Sequence, residues 1–178
     1  MVVAMTIRMP RWFVGWVSRR YVAGPTLDDA VKVMKRLSKE GACFTIDVLG
    51  EEISTMEEAQ FFLEEYQRVV SAIIDNQLDS NLSIKPTAFG LLLDKQKGME
   101  NIETIVKMAH GHDMFVRLDM EDHRVTDDTI QVMLEMHNKG LTNVGVVLQG
   151  RLFRTVKDIK SIAVSYTHLR AHETPCHL

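Results

Sequence analysis

Four short stretches rich in apolar residues divide the chain, and each predicts a buried β-strand. They cover residues 43–49, 82–86, 114–119 and 144–149. Near-continuous apolar runs of this length suit strands that are covered on both faces, as in a parallel sheet. Between the runs, apolar residues recur at helical spacing, which predicts an amphipathic helix after each strand.

Helix start and stop signals frame the first two helical stretches. Thr26 and Asp29 have the spacing of a capping box, and Gly41 is placed to end the helix that follows. Ser54 and Glu57 repeat the start signal in front of the next apolar stripe.

Two later helices are predicted in the same way. Thr126 opens one, with acidic residues in the first turn where they favour the helix dipole, and Gly140 ends it. Residues 155–163 begin a further crossover helix.

The order of elements is therefore a helix followed by four βα units. Parallel strands joined by helices form either a doubly wound sheet or a (β/α)₈ barrel. No glycine-rich phosphate loop follows the first predicted strand, which favours the barrel. A full TIM barrel needs about 250 residues, so the pattern predicts an α/β fold that is a partial (β/α)₈ barrel.

Three regions follow from this interpretation. Residues 1–25 form a lead segment, residues 26–163 the first half of a barrel, and residues 164–178 a non-native tail, because the tail resembles a translated sequencing adapter. His168, His172 and Cys176 mimic metal-ligand spacing within that tail, and no metal site is predicted from them.

Composition narrows the function classes. The chain has 178 residues, of which 46% are hydrophobic, and this is enough for one hydrophobic core. Its formal net charge is −3, so the composition indicates no basic face that would bind nucleic acid. Two cysteines form no disulfide framework, so a cytoplasmic location is expected. The sequence contains no run of eighteen apolar residues, so no membrane-spanning helix is predicted.

Polar side chains cluster where the predicted strands end, which in barrels is the face that carries active sites. They are Asp47, Glu51, Lys85, Asp119, Glu121, Asp122 and Gln149. Lys85 stands out because it lies inside a strand-like run beside Pro86, where a lysine has no evident structural role. From the pattern alone two interpretations stay open: a cation in the barrel mouth that holds a carboxylate or phosphate, or a solvated loop charge.

Several of these stretches, taken in order, resemble motifs of bacterial proline dehydrogenases. The resemblance extends over residues 20–160 and rests on RYVAG (20–24), TIDVLGE (45–51), SIKPTAFG (83–90), FVRLDMED (115–122) and VGVVLQ (144–149). Ile84 and Pro86 differ from the Val and Leu that many relatives carry around the lysine.

The resemblance implies an FAD-binding barrel that oxidises L-proline to pyrroline carboxylate and passes the electrons to a membrane quinone. It assigns Lys85 to the proline carboxylate, Asp119 to the active site, and Met120 and Gln149 to the flavin. Taken singly, Met120 reads as core filler, Gln149 as a strand end and Asp119 as a helix cap or loop charge.

Aromatic residues and arginines in the lead segment leave another choice open. Trp12, Phe13 and Trp16 alternate with Arg11, Arg19 and Arg20. The segment is expected either to pack against the barrel, which is favoured, or to contact the inner face of the cell membrane peripherally.

Other functional classes remain as alternatives. The arginines that clamp proline in this family have no matching positions here, so the chain is expected to be an N-terminal fragment without activity of its own. The alternatives are an inert half-barrel and another carboxylate-binding barrel enzyme, such as a lyase.

Overall fold

A computed structural model describes residues 21–50, 53–121 and 123–165. Glu51, Asp122, the aromatic part of the lead segment and the histidines of the C-terminal tail lie outside the described residues. The described chain falls into two compact units divided between Ala42 and Cys43, and each is described by itself.

The first unit contains helix α1, Leu27–Ser38. Thr26 caps it as predicted: its hydroxyl accepts from the Asp29 N–H at 3.2 Å and donates to the Asp29 carboxylate at 2.7 Å. Gly41, with φ of 86°, takes the left-handed conformation just past the helix end, where glycine is favoured.

The second unit alternates strands and helices. In chain order these elements are β1 (Phe44–Ile46), α2 (Met56–Asp75), β2 (Ser80–Ile84), a 3₁₀ turn (Pro86–Phe89), α3 (Lys95–His110), β3 (Val116–Leu118), α4 (Thr126–Asn138), β4 (Val144–Val146) and α5 (Thr155–Ser165). The predicted helices at Thr126 and at residues 155–163 are thereby confirmed.

The four strands form one parallel sheet in the order β1-β2-β3-β4. A doubly wound sheet reverses its strand order, whereas this order runs in one direction. Right-handed crossovers that always step the same way place their helices on one face of the sheet. The sheet therefore has the arrangement of half a (β/α)₈ barrel, which confirms the predicted fold class.

The two faces of the sheet differ in chemistry. One face is apolar and buried, and its central residues are Leu82, Ile84, Val116, Leu118, Val144 and Val146. The opposite face, which lines the interior of a barrel, carries Thr45, Asn81, Ser83 and Arg117. The Arg117 guanidinium donates to the Thr45 hydroxyl at 3.0 Å, so polar side chains connect strands across this inner face.

Several predicted boundaries were wrong. Strands β1 and β4 each end three residues before the predicted end, and β3 starts two residues later and ends one residue earlier than predicted. Strand β2 begins two residues earlier than predicted and ends at Ile84, and Pro86 starts the 3₁₀ turn instead of ending the strand. Proline lacks an N–H and has a fixed φ, so it suits the first residue of a helical turn. Lys85 consequently follows the strand instead of lying inside it.

The start of α2 is also shifted. Thr55 caps the helix and forms a capping box with Glu58, one residue later than the predicted Ser54 and Glu57. Ser54 with Glu57 and Thr55 with Glu58 both have the spacing of a capping box. Burial decides between the two starts, because the helix that begins after Thr55 turns Ala59, Leu63 and Tyr66 toward the core.

No helix in the described ranges is both long and apolar enough to cross a membrane.

Candidate active site

Lys85 lies at the carboxyl end of β2, between the last strand residue and the proline that opens the 3₁₀ turn. Its backbone is extended, with φ of −96° and ψ of 113°, so the strand alternation continues through it. Because Ile84 faces the helices, Ser83 and Lys85 share the inner face of the sheet.

The Lys85 ammonium contacts the carboxylate of Asp47, the first residue after β1. Nζ and Oδ2 are 2.6 Å apart, and the two side chains are 19% and 28% exposed. At this exposure, water screens the attraction between the two charges less than it does on an open surface. The remaining exposed part of the Lys85 side chain leaves a path for a small anion to approach the ammonium.

Asp119 directly follows the neighbouring strand, β3, at the same level as Lys85. Its N–H donates to the Ile84 carbonyl at 2.9 Å, which continues the ladder between β2 and β3. Its carboxylate accepts a hydrogen bond from the Ser83 hydroxyl at 2.7 Å. The predicted convergence of Lys85 and Asp119 at one edge of the sheet is therefore confirmed.

Tyr66 reaches this cluster from the outer layer. Its side chain, on α2, is 1% exposed and packs against Phe89 with ring centroids 5.2 Å apart. The hydroxyl oxygen lies 2.8 Å from the Ser83 carbonyl oxygen, 3.1 Å from Asp47 Oδ1 and 3.1 Å from the Val48 nitrogen. Burial raises the pKa of this phenol well above its usual value, the Asp47 and Asp119 carboxylates raise it further, and the Val48 N–H opposes them.

Sequence reasoning missed Tyr66 and Ser83. The helical spacing of apolar residues in α2 includes Tyr66, which describes the buried ring and leaves the role of the hydroxyl out. A buried tyrosine hydroxyl almost always needs a hydrogen-bond partner, and that requirement is the signal that could have drawn attention to this residue.

Met120 and Gln149 meet at the next step along the edge. The Gln149 side-chain amide donates to the Met120 carbonyl at 2.8 Å, which ties the loop after β4 to the loop after β3. The Met120 side chain is 6% exposed, whereas Gln149 is half-buried. All four predicted site residues thus lie along the same carboxyl edge of the sheet.

Glu121 fastens a further pair of loops. Its carboxylate accepts from the Thr87 N–H at 2.9 Å and from the Thr87 hydroxyl. The turn after β2, which carries Lys85, is thereby held to the loop after β3, which carries Asp119 and Met120.

Among the described residues, the Lys85 ammonium pairs with the Asp47 carboxylate, and the Asp119 carboxylate lies at the same partly sheltered edge. Such a site suits a small zwitterion, whose carboxylate pairs with the lysine and whose amine faces the acidic groups. Within the described ranges, no cluster of three or more His, Cys, Asp or Glu side chains is arranged to hold a metal ion.

Comparison with known proteins identifies relatives along most of the chain. The family model for proline dehydrogenase matches residues 30–169. Proline dehydrogenase 1 of Bacillus subtilis subsp. natto is 37% identical over 153 residues, which are 86% of this chain and 50% of that protein. Proline dehydrogenase 2 of Bacillus subtilis strain 168 is 31% identical over 151 residues, which are 83% of this chain and 50% of that protein. The chain therefore spans about half the length of these curated relatives.

Solved structures share the fold. Proline utilization A (PutA) from Bdellovibrio bacteriovorus, inactivated by N-propargylglycine, superposes with a TM-score of 0.73 at 23% identity, covering 83% of this chain and 18% of that one. A second PutA structure, with proline bound in remote sites, superposes with a TM-score of 0.65 at 17% identity, covering 81% and 16%. The fold agrees with the half-barrel arrangement, and the family model covers most of the sequence: the chain belongs to the proline dehydrogenase family.

Proposed function

We propose that the protein carrying this sequence oxidises L-proline to pyrroline carboxylate with FAD as the hydride acceptor, and that the electrons pass on to a quinone. The observation that carries the proposal is the pairing of Lys85 with Asp47, beside Asp119, at the carboxyl edge of a proline dehydrogenase fold. Barrel enzymes build their active sites at that edge.

Lys85 is proposed to bind the substrate. Its side chain is partly sheltered at 19% exposure, and its ammonium contacts the Asp47 carboxylate. A proline carboxylate that enters the site pairs with the same ammonium, which orients the ring. Asp119, held by the Ser83 hydroxyl, orients the cationic groups around the substrate.

Oxidation converts the bond between the ring nitrogen and its neighbouring ring carbon into a double bond. A hydride leaves that carbon, and a proton leaves the nitrogen. When bound, FAD supplies the hydride acceptor. The protein's part is to hold the ring in one orientation and to keep charges fixed around it.

Met120 and Gln149 are proposed to form one wall of the flavin site. Support comes from the hydrogen bond between the Gln149 amide and the Met120 carbonyl, which joins two loops into a continuous surface. A flat ring system needs such a surface, and the half-buried Gln149 offers a polar group beside it.

The test is Lys85→Met in the protein that carries this sequence within a complete, flavin-containing barrel. Loss of one partner of a sheltered ion pair costs about 2–5 kcal/mol, and the partial exposure of Lys85 favours the lower end. We therefore expect kcat/KM for proline to fall by roughly thirty- to a hundredfold. The ratio of flavin to protein should stay at the wild-type value.

Lys107→Met is the matched control, because Lys107 is an exposed lysine that pairs with Glu103 on the surface of α3. It should leave both measurements unchanged. Loss of flavin with unchanged proline affinity in the residual flavoprotein would assign Lys85 to the cofactor and contradict the proposal.

A further inference from the structure

The hydroxyl of Tyr66 replaces one step of the hydrogen-bond ladder between β1 and β2. The Phe44 N–H donates to the Asp79 carbonyl at 2.9 Å. Parallel ladders repeat every two residues along both strands, so two such steps predict a bond from the Val48 N–H to the Ser83 carbonyl. Instead, the Val48 N–H donates to the Tyr66 oxygen at 3.1 Å, and the Tyr66 hydroxyl lies 2.8 Å from the Ser83 carbonyl oxygen.

This insertion lies where the pairing of the two strands ends and the site begins. Cα pairing between β1 and β2 ends at Ile46 and Leu82, one residue before Asp47. A side-chain hydroxyl between two backbones holds them farther apart than a direct hydrogen bond does. The Val48 N–H and the Ser83 carbonyl both keep a partner in the process.

The same hydroxyl reaches the Asp47 carboxylate. Oδ1 of Asp47 lies 3.1 Å from the Tyr66 oxygen, while Oδ2 lies 2.6 Å from the Lys85 ammonium. A hydroxyl has one hydrogen to donate, so the Asp47 carboxylate and the Ser83 carbonyl are alternative acceptors for it. Tyr66 therefore contacts the two groups on either side of the split ladder and, through Asp47, adjoins Lys85.

We propose that Tyr66 is a positioning residue for substrate binding. By entering the ladder between β1 and β2, its hydroxyl orients the Asp47 carboxylate. Asp47 in turn orients the Lys85 ammonium toward the substrate carboxylate. The inference rests on the proposed function, in which Lys85 binds that carboxylate.

Removal of the hydroxyl predicts a specific change. Phenylalanine fills nearly the same volume as tyrosine, so the ring contact with Phe89 remains. The Val48 N–H and the Ser83 carbonyl are then free to bond directly, which draws β1 toward β2 and moves Asp47. The Lys85 ammonium is then no longer held in one orientation, so binding of the substrate carboxylate weakens. The proposed flavin wall at Met120 and Gln149 is not affected.

The experiment compares wild type with Tyr66→Phe in the flavin-containing protein. We expect KM for proline to rise about tenfold, equivalent to about 1.4 kcal/mol, with kcat and flavin content near wild type. Binding of cyclopentanecarboxylate, which has the ring and carboxylate of proline without the amine, should weaken by a similar factor in isothermal titration calorimetry. Binding of the uncharged cyclopentanecarboxamide should not differ between the two proteins.

Thr129→Val is the matched control for removing a buried hydroxyl. The Thr129 hydroxyl, on α4, has no hydrogen-bond partner among the described residues, so its loss should leave carboxylate binding unchanged. A double-mutant cycle with Asp47→Asn then separates positioning from general destabilisation. If Tyr66 acts through Asp47, Tyr66→Phe adds little to the loss of carboxylate binding in the Asp47→Asn background.

Three results would overturn the inference: unchanged cyclopentanecarboxylate affinity in Tyr66→Phe, equal weakening of the carboxylate and the carboxamide, or full additivity with Asp47→Asn. If the wild-type flavoprotein does not oxidise proline, the proposed function fails. The calorimetric comparison still decides the role of Tyr66 in carboxylate binding in that case.

Discussion

The phenol of Tyr66 is buried beside two carboxylates, and this environment links the residue to stability at high pH. The folded protein holds the phenol proton more tightly than the unfolded chain, whose tyrosine pKa is about 10. The stabilising effect is therefore complete below about pH 10 and is lost as the pH rises toward the higher folded-state pKa.

The expected result is a steeper alkaline loss of stability in wild type than in Tyr66→Phe. Above about pH 10 the free energy of unfolding of wild type should fall by up to about 1.4 kcal/mol per pH unit more than that of the variant. Denaturant unfolding at pH values from about 9 to 12 measures the difference. Tyr21→Phe, which removes an exposed hydroxyl, is the control. Parallel curves for wild type and Tyr66→Phe would contradict this account.

At the scale of elements, the position at which a helix starts decides which of its side chains face the core and the site. Helix α2 is the clearest case, since its start decides which residues face the core. Thr55 and Glu58 cap it, and Ser54 contributes its backbone N–H to the Glu58 carboxylate at 2.6 Å. The phase of α2 places Tyr66 under the end of β1, so the cap indirectly determines the geometry of Asp47.

The capping assignment predicts different effects for two neighbouring hydroxyl residues. Thr55→Ala removes the side chain that accepts from the Glu58 N–H and should lower the free energy of unfolding by about 1 kcal/mol. Ser54→Ala leaves the backbone N–H in place and should cost much less. Equilibrium denaturation of Thr55→Ala and Ser54→Ala measures the free energy of unfolding of each variant. Equal losses in the two variants would mean that both residues cap the helix and would contradict the assignment to Thr55.

At the scale of the whole molecule, the described sheet has two open sides. Among the described residues, β1 pairs only with β2, and β4 only with β3. Open parallel edges invite pairing with other chains. Helix α5 adds apolar surface, because the Val156 and Ile159 side chains are 64% and 40% exposed and Phe153 just before it is fully exposed.

We therefore predict that the 178-residue chain, expressed alone, neither binds FAD tightly nor turns over proline, and that it self-associates. A barrel closed by eight strands buries these edges, whereas four strands leave the inner face open to water. Proline-dependent dye reduction and flavin absorbance measure the first two properties, and light scattering measures the third. Dye reduction above a Lys85→Ala control would contradict the prediction.

Local pattern was sufficient for much of the architecture. The alternation of apolar runs predicted all four strands and their order, because each crossover must be right-handed and short. Lys85 and Asp119 were correctly placed at one edge, since residues that follow neighbouring parallel strands meet there. The family resemblance supplied the proposed chemistry of these residues, and the pattern alone had left Lys85 open.

Tertiary structure decided the features that depend on contacts between distant segments. The Tyr66 hydroxyl enters a ladder formed by β1 and β2, and the Ser83 hydroxyl selects Asp119 on the next strand. No periodicity of apolar residues encodes either contact, because both depend on which polar atoms are left without a partner once the sheet has formed. The sequence determined which segments become strands and which edge carries the charges; packing determined how those charges are held.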